Sequence, residues 1–167
     1  SDQPVFAELA LISSHAPFVP LPPVIPWRDV GQGRIFARWA GDGPSPAELW
    51  RHPDRVRTHY GRALDYVLGV VRAFVAEKLP PDAVLILVGD HQPAPLITGM
   101  GASAQVPVHI VAPPAVLARM ADWGWTTGAV PDRDAPVLGM DALRDRLVRA
   151  FTPATRAAPL HPAGRAP

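Results

Sequence analysis

Apolar positions change their period along this chain, and each change marks an expected element. Val5 to Ser14 ("VFAELALISS") is a mostly apolar run of strand length, interrupted by Glu8, the pattern of a strand buried on both faces. The proline-rich "HAPFVPLPPVIPW" (His15 to Trp27) reads as loop. "SPAE" then offers a Ser-x-x-Glu capping box at Ser45 and Glu48 with Pro46 at the first helical position, so a short helix to about His52 is expected. Tyr60, Leu64, Val67, Val71 and Phe74 recur every three or four residues, which predicts a long amphipathic helix. Pro80 and Pro81 end it, because proline cannot continue the hydrogen-bond ladder.

"AVLILV" (Ala83 to Val88) is short, apolar throughout and rich in β-branched residues, the composition of an interior strand of a parallel sheet. "VPVHIVAP" (Val106 to Pro113) reads as a further strand and "PAVLARMADWG" as a helix stopped by Gly124. "MDALRDRLVRAF" reads as a helix with Leu143, Leu147 and Phe151 on one face and Asp141 as its N-cap. Strand, crossover helix, strand makes a right-handed βαβ unit with parallel strands. The fold class expected is therefore α/β, a largely parallel or mixed sheet flanked by helices. In that geometry "SSHAPF" and "GDHQP" both follow strands, and so share the carboxyl-terminal edge of the sheet, where open α/β sheets bind ligands.

Composition narrows the chemistry. With 48% apolar and 19% charged residues and a formal net charge of +1, neither disorder nor general nucleic-acid binding is suggested. The 167 residues suit one domain, taken as 1–152, with a Pro/Ala-rich tail over 153–167. There is no cysteine, so disulfides and thiolate metal sites are excluded and His, Asp and Glu are left as strong ligands. No apolar run approaches the roughly 18 to 20 residues of a membrane span. The opening "SDQPVF" lacks an initiator Met and a signal peptide's regions, and the chain is expected to be a piece of a longer protein.

Asp90 and His91 are the sharpest candidates. They follow an apolar strand, and Gly89 lets the backbone turn tightly before them. A carboxylate and an imidazole placed so can both face a divalent ion. The alternative is a polar turn in which Asp90 caps nearby amides. His15 is a substrate or phosphate contact or else a loop histidine bonded to backbone. Ser13 and Ser14 lack the Gly-x-Ser-x-Gly elbow of one large hydrolase class; a serine hydrolase using Ser14 would be independent of metal. His109 alternates with apolar neighbours and reads as a half-buried strand histidine, while His52, His59 and His161 read as surface residues. No Gly-rich phosphate loop of either common type is present.

A strand into "SHAPF", a helix carrying "HYGRALDYVLGVVRAF", then "AVLILVGDHQ" and "VPVHIVAP", in that order, resembles the carboxyl-terminal half of the alkaline phosphatase superfamily. The nearest branch is the sulfatase-like group of lipoteichoic acid synthases and phosphoethanolamine transferases. The resemblance implies a partial alkaline-phosphatase-like fold and maps the family's metal-binding Asp-His pair onto Asp90 and His91, with zinc or manganese as the expected metal. It maps a substrate-contacting histidine onto His15. The family's Tyr-x-Asp helix motif is matched loosely by Tyr60 and Asp65-Tyr66, and Gln92 stands where many relatives have Gly.

No catalytic nucleophile or further acidic ligand is matched within this chain. The resemblance therefore implies a phosphoryl or sulfuryl ester hydrolase or transferase whose present fragment is inactive alone. Its substrate is a phosphate or sulfate ester, lipid-linked esters included, and its parent is membrane-anchored with the site on the periplasmic or extracytoplasmic face. The rival expectation is a degenerate, non-catalytic relative serving as a binding or structural module.

Overall fold

A computed structural model of the chain describes residues 3–152. Their contacts divide them into two units, residues 3–83 with 89–106 and residues 84–88 with 107–152. The tail expected over 153–167, and His161 within it, lie outside the described residues.

In the first unit a single 3-10 turn, Ile12–Ser14, precedes α1 (Trp27–Val30), a 3-10 helix (Arg34–Trp39), α2 (Pro46–Leu49), α3 (Pro53–Glu77) and, after the chain returns at Gly89, α4 (Pro95–Thr98). Half of the expected capping box forms at α2. The Glu48 N–H donates to Ser45 Oγ at 3.2 Å, while the Glu48 carboxylate lies 3.8 Å from the Arg55 guanidinium. Pro53 opens α3 where its missing N–H costs no hydrogen bond. The expected stripe on α3 is half-buried throughout, but the residues sealed from solvent are Val56 and Ala63. They belong to a core with Leu49 of α2 and with Phe18 and Val19 of the loop after the first turn; Tyr60, Leu96 and Ile97 pack against it.

The strand expected over Val5 to Ser14 does not form. Residues 4–11 have no regular structure, and Val5, Phe6 and Leu9 are 86%, 91% and 77% exposed. An apolar run becomes a strand only when a neighbour takes up its backbone N–H and C=O groups, and among the described residues no strand pairs with it. The βαβ unit built on that strand falls with it.

The second unit holds β1 (Leu85–Val88), β2 (Val108–Val111), α5 (Pro114–Leu117), a 3-10 helix (Ala118–Trp123) and α6 (Met140–Phe151). β1 pairs antiparallel with β2, Leu87 opposite His109 and Ile86 opposite Ile110. The observed class is thus mixed helix with a two-stranded antiparallel sheet, in place of the parallel pairing expected of β1. A short apolar run does not encode its partner's direction, and β1 is half-buried with Val88 exposed rather than sealed on both faces.

With period two along β2, Val108 and Ile110 share one face and pack against a core of Met120, Trp123 and Leu143. His109 therefore points to the other side, where Nε2 meets the Ala129 carbonyl at 2.8 Å. The stop at Gly124 is steric as well as conformational. Its φ is +80°, and a Cβ there would stand 2.5 Å from Pro136 Cγ. The cap of α6 is Gly139, not Asp141, which sits inside the first turn. Leu143 is buried and Leu147 and Ala150 pack on the core, whereas Phe151 is 42% exposed. Among the described residues no helix is long and apolar enough to cross a membrane.

Candidate metal and substrate site

Asp90 and His91 leave the end of β1 on an irregular segment that is secured downstream. Leu96 and Ile97 of α4 pack against the Phe18–Val56 core, and the Gln92 side-chain amide donates to the Gln105 carbonyl. Gln92, which sequence reasoning registered only as a departure from glycine, thus ties the turn to the far end of its own loop.

Asp90 and His91 divide their polar atoms in a definite way. Asp90 Oδ1 accepts from the His91 N–H at 2.9 Å, the local bond of the polar-turn reading. His91 Nδ1 lies 2.8 Å from the Gln92 carbonyl oxygen. A carbonyl only accepts, so Nδ1 carries the proton and the neutral ring keeps its lone pair on Nε2. Asp90 Oδ2 and His91 Nε2 then remain, 3.6 Å apart. Two lone pairs facing each other repel; a proton on Nε2 or a cation between them reconciles the pair. Nitrogen and oxygen ligands on tetrahedral zinc, each about 2.0–2.2 Å from the metal, stand about 3.4 Å from one another. The separation observed is close to that bite. The donor set fits a divalent ion as two ligands of a larger sphere, and both side chains are largely exposed, at 89% and 67%, leaving room for others. Among the described residues no group of three or more His, Asp or Glu is placed to hold a metal ion.

His15 has the same hydrogen-bond arrangement. Its Nδ1 lies 2.8 Å from the Ala16 carbonyl, which again leaves Nε2 with the lone pair. It edges a hollow of about 480 Å³ lined by residues 12–13 and 15–20. The backbone beneath is unusual. Phe18 has φ +66°, a value bulky L-residues avoid, and such strain persists only where surrounding contacts over-determine it. Those contacts are present. Phe18 is 5% exposed, stacks on Trp50 with ring centroids 6.1 Å apart and meets Tyr60 edge-on at 5.4 Å. Burial raises the Tyr60 hydroxyl above its ordinary pKa.

The His15 loop, through Phe18 and Val19, and the Asp90–His91 loop, through Leu96 and Ile97, are therefore anchored on one core. The sequence places them together by way of a parallel sheet; α3 and its core are what both loops actually use. No hydrogen bond or ion pair joins His15 to Asp90 or His91 among the described residues, and no histidine is hydrogen-bonded to Ser13 or Ser14. The strained Phe18 and the Gln92 tie were both missed from sequence, since neither φ nor a contact thirteen residues away has a local composition signal.

Comparisons with protein-family models, with curated proteins and with solved structures return no match for this chain.

Proposed function

We propose that this chain contributes half of the catalytic centre of a metal-dependent phosphoryl or sulfuryl ester hydrolase or transferase of the sulfatase-like class. The observation that carries the reading is the free pair of donors, Asp90 Oδ2 and His91 Nε2, held 3.6 Å apart by hydrogen bonds that occupy their sister atoms. Asp90 and His91 hold the metal, zinc or manganese. Such an ion supplies Lewis-acid polarisation of an ester oxygen and eases deprotonation of an attacking hydroxyl. His15 Nε2 accepts a hydrogen bond from a substrate hydroxyl and, once protonated, donates to an ester oxygen.

In this reading the nucleophile and a further acidic ligand come from outside the 167 residues, and the chain alone gives no turnover. The parent has the larger α/β sheet of the alkaline phosphatase type, is membrane-anchored, and works on lipid-linked or soluble phosphate or sulfate esters at the extracytoplasmic face. A non-catalytic binding or structural module is the second reading. It is favoured by the exposure of Asp90 and His91 and by their standing as a pair without a third ligand among the described residues.

Calorimetric titration of zinc and of manganese into the full chain, beside Asp90→Ala/His91→Ala, separates the two. Binding of one equivalent that the double variant loses supports the metal centre. Equal binding by both proteins, or none by either, rejects it in favour of the non-catalytic module.

A further inference from the structure

The second unit carries a hollow of about 400 Å³ walled by Arg119, Asp122, Trp123, Arg146, Arg149 and Ala150. Two short sequence spacings produce it. Arg119, Asp122 and Trp123 sit on the 3-10 helix Ala118–Trp123, and Arg146, Arg149 and Ala150 lie three and four residues apart on α6, hence on one side of that helix. Leu143 and Leu147 of α6 pack with Met120 and Trp123. The contacts that bury the apolar stripe therefore also gather the three arginines.

Two of the guanidiniums are positioned by neighbours that leave donors unused. Arg146 Cζ lies 5.8 Å from the centroid of the Trp123 ring, a cation–π contact that consumes no N–H. Arg119 Nη1 donates to the Ala150 carbonyl at 3.4 Å, one bond from a group with five N–H donors. Among the described residues none of Arg119, Arg146 and Arg149 is ion-paired, although the adjacent Arg144 pairs with Asp145 at 2.8 Å. Three cations thus share the wall with one carboxylate, Asp122. Like charges gathered this way repel, and an oxyanion relieves the repulsion while filling the idle donors in the fork geometry arginine offers.

We propose that this hollow binds a tetrahedral oxyanion, phosphate or a phosphate monoester. Arg146 and Arg149 grip it from α6 and Arg119 from the facing helix, and Asp122 accepts from the anion's remaining O–H. Arg119, Asp122 and Arg149 are exposed, so the hollow opens to solvent and a group esterified to the phosphate would project outward from it. Free phosphate and a lipid's phosphate headgroup offer the same chemistry. None of these residues belongs to the proposed metal centre, and the hollow does not depend on it.

The test titrates inorganic phosphate into the full chain at constant ionic strength, with chloride as the matched salt. Saturable binding is expected with phosphate and not with chloride. It should weaken about tenfold or more in Arg146→Gln/Arg149→Gln, with unchanged far-UV circular dichroism and unfolding midpoint. Arg146→Lys, which keeps the charge and loses the fork, should fall between. Arg149→Gln alone leaves the Trp123 contact intact and should still weaken binding, which covers the case of a double variant that does not fold.

Co-sedimentation with phosphatidylcholine vesicles, with and without phosphatidic acid, separates the sources. Pelleting only with phosphatidic acid, lost in the double variant, assigns a lipid phosphate; phosphate binding without pelleting assigns a soluble one. Absence of saturable phosphate binding, or binding undiminished in both Gln variants, overturns the proposal.

Discussion

Asp90 Oδ2 and His91 Nε2 face each other across 3.6 Å, each left free because its sister atom is engaged by backbone. The arrangement is made by three consecutive residues. The His91 N–H fixes the carboxylate and the Gln92 carbonyl fixes the imidazole tautomer. Hydrogen bonding of the non-ligating nitrogen to a carbonyl is the usual way a metal-binding histidine is oriented. The Gln92 amide then secures the turn through Gln105.

Phe18 links the His15 loop to the core at an unfavourable backbone angle. Phe18→Ala should destabilise the chain by about 3–5 kcal/mol, the usual loss for a buried phenylalanine. Phe18→Gly should be the milder change by about 1 kcal/mol, because glycine is relieved of the left-handed penalty that alanine keeps. Urea unfolding of both variants checks the order. A glycine variant clearly less stable than the alanine one would show that position 18 is not held at positive φ.

His59 on α3 sits below its ordinary pKa, first because burial disfavours the imidazolium and then because Arg62 and Arg55 repel it. The folded chain therefore takes up this proton less readily than the unfolded chain. The stability His59 contributes is complete above its unfolded-state value of 6.5 and is lost as pH falls through the lower folded value. Unfolding midpoints at about pH 7.5 and about pH 5.5, either side of the ordinary histidine value, should draw closer together in His59→Gln. An unchanged pH dependence would mean that His59 titrates alike in both states.

How legible all this was depends on whether the determining contacts are local. The period of Tyr60, Leu64, Val67, Val71 and Phe74 announces α3 because helix hydrogen bonds close within the segment. The Ser45 cap is local in the same sense. The run from Val5 carries a strand's composition, yet a strand needs a partner ladder, and composition names neither the partner nor its direction. β1 failed in the same way, as its existence was readable and its antiparallel pairing with β2 was not. At the site, Gly-Asp-His after an apolar strand was a visible signal for Asp90 and His91. The Gln92–Gln105 tie and the core shared with the His15 loop depend on contacts distant in sequence, while the tautomer, though set by the carbonyl of the next residue, follows from a ring orientation that composition does not specify.

In the proposed metal centre His91 presents an unprotonated Nε2 beside Asp90. Long-range proton–nitrogen correlation spectra of the histidine rings, recorded on the full chain at a pH where they are neutral and then with zinc added, address it directly. The Nδ1–H tautomer is expected for His91, with a zinc-dependent shift of its Nε2 resonance and a much reduced response in Asp90→Asn. An Nε2–H tautomer at His91, or zinc-dependent shifts confined to other histidines, would overturn the metal assignment.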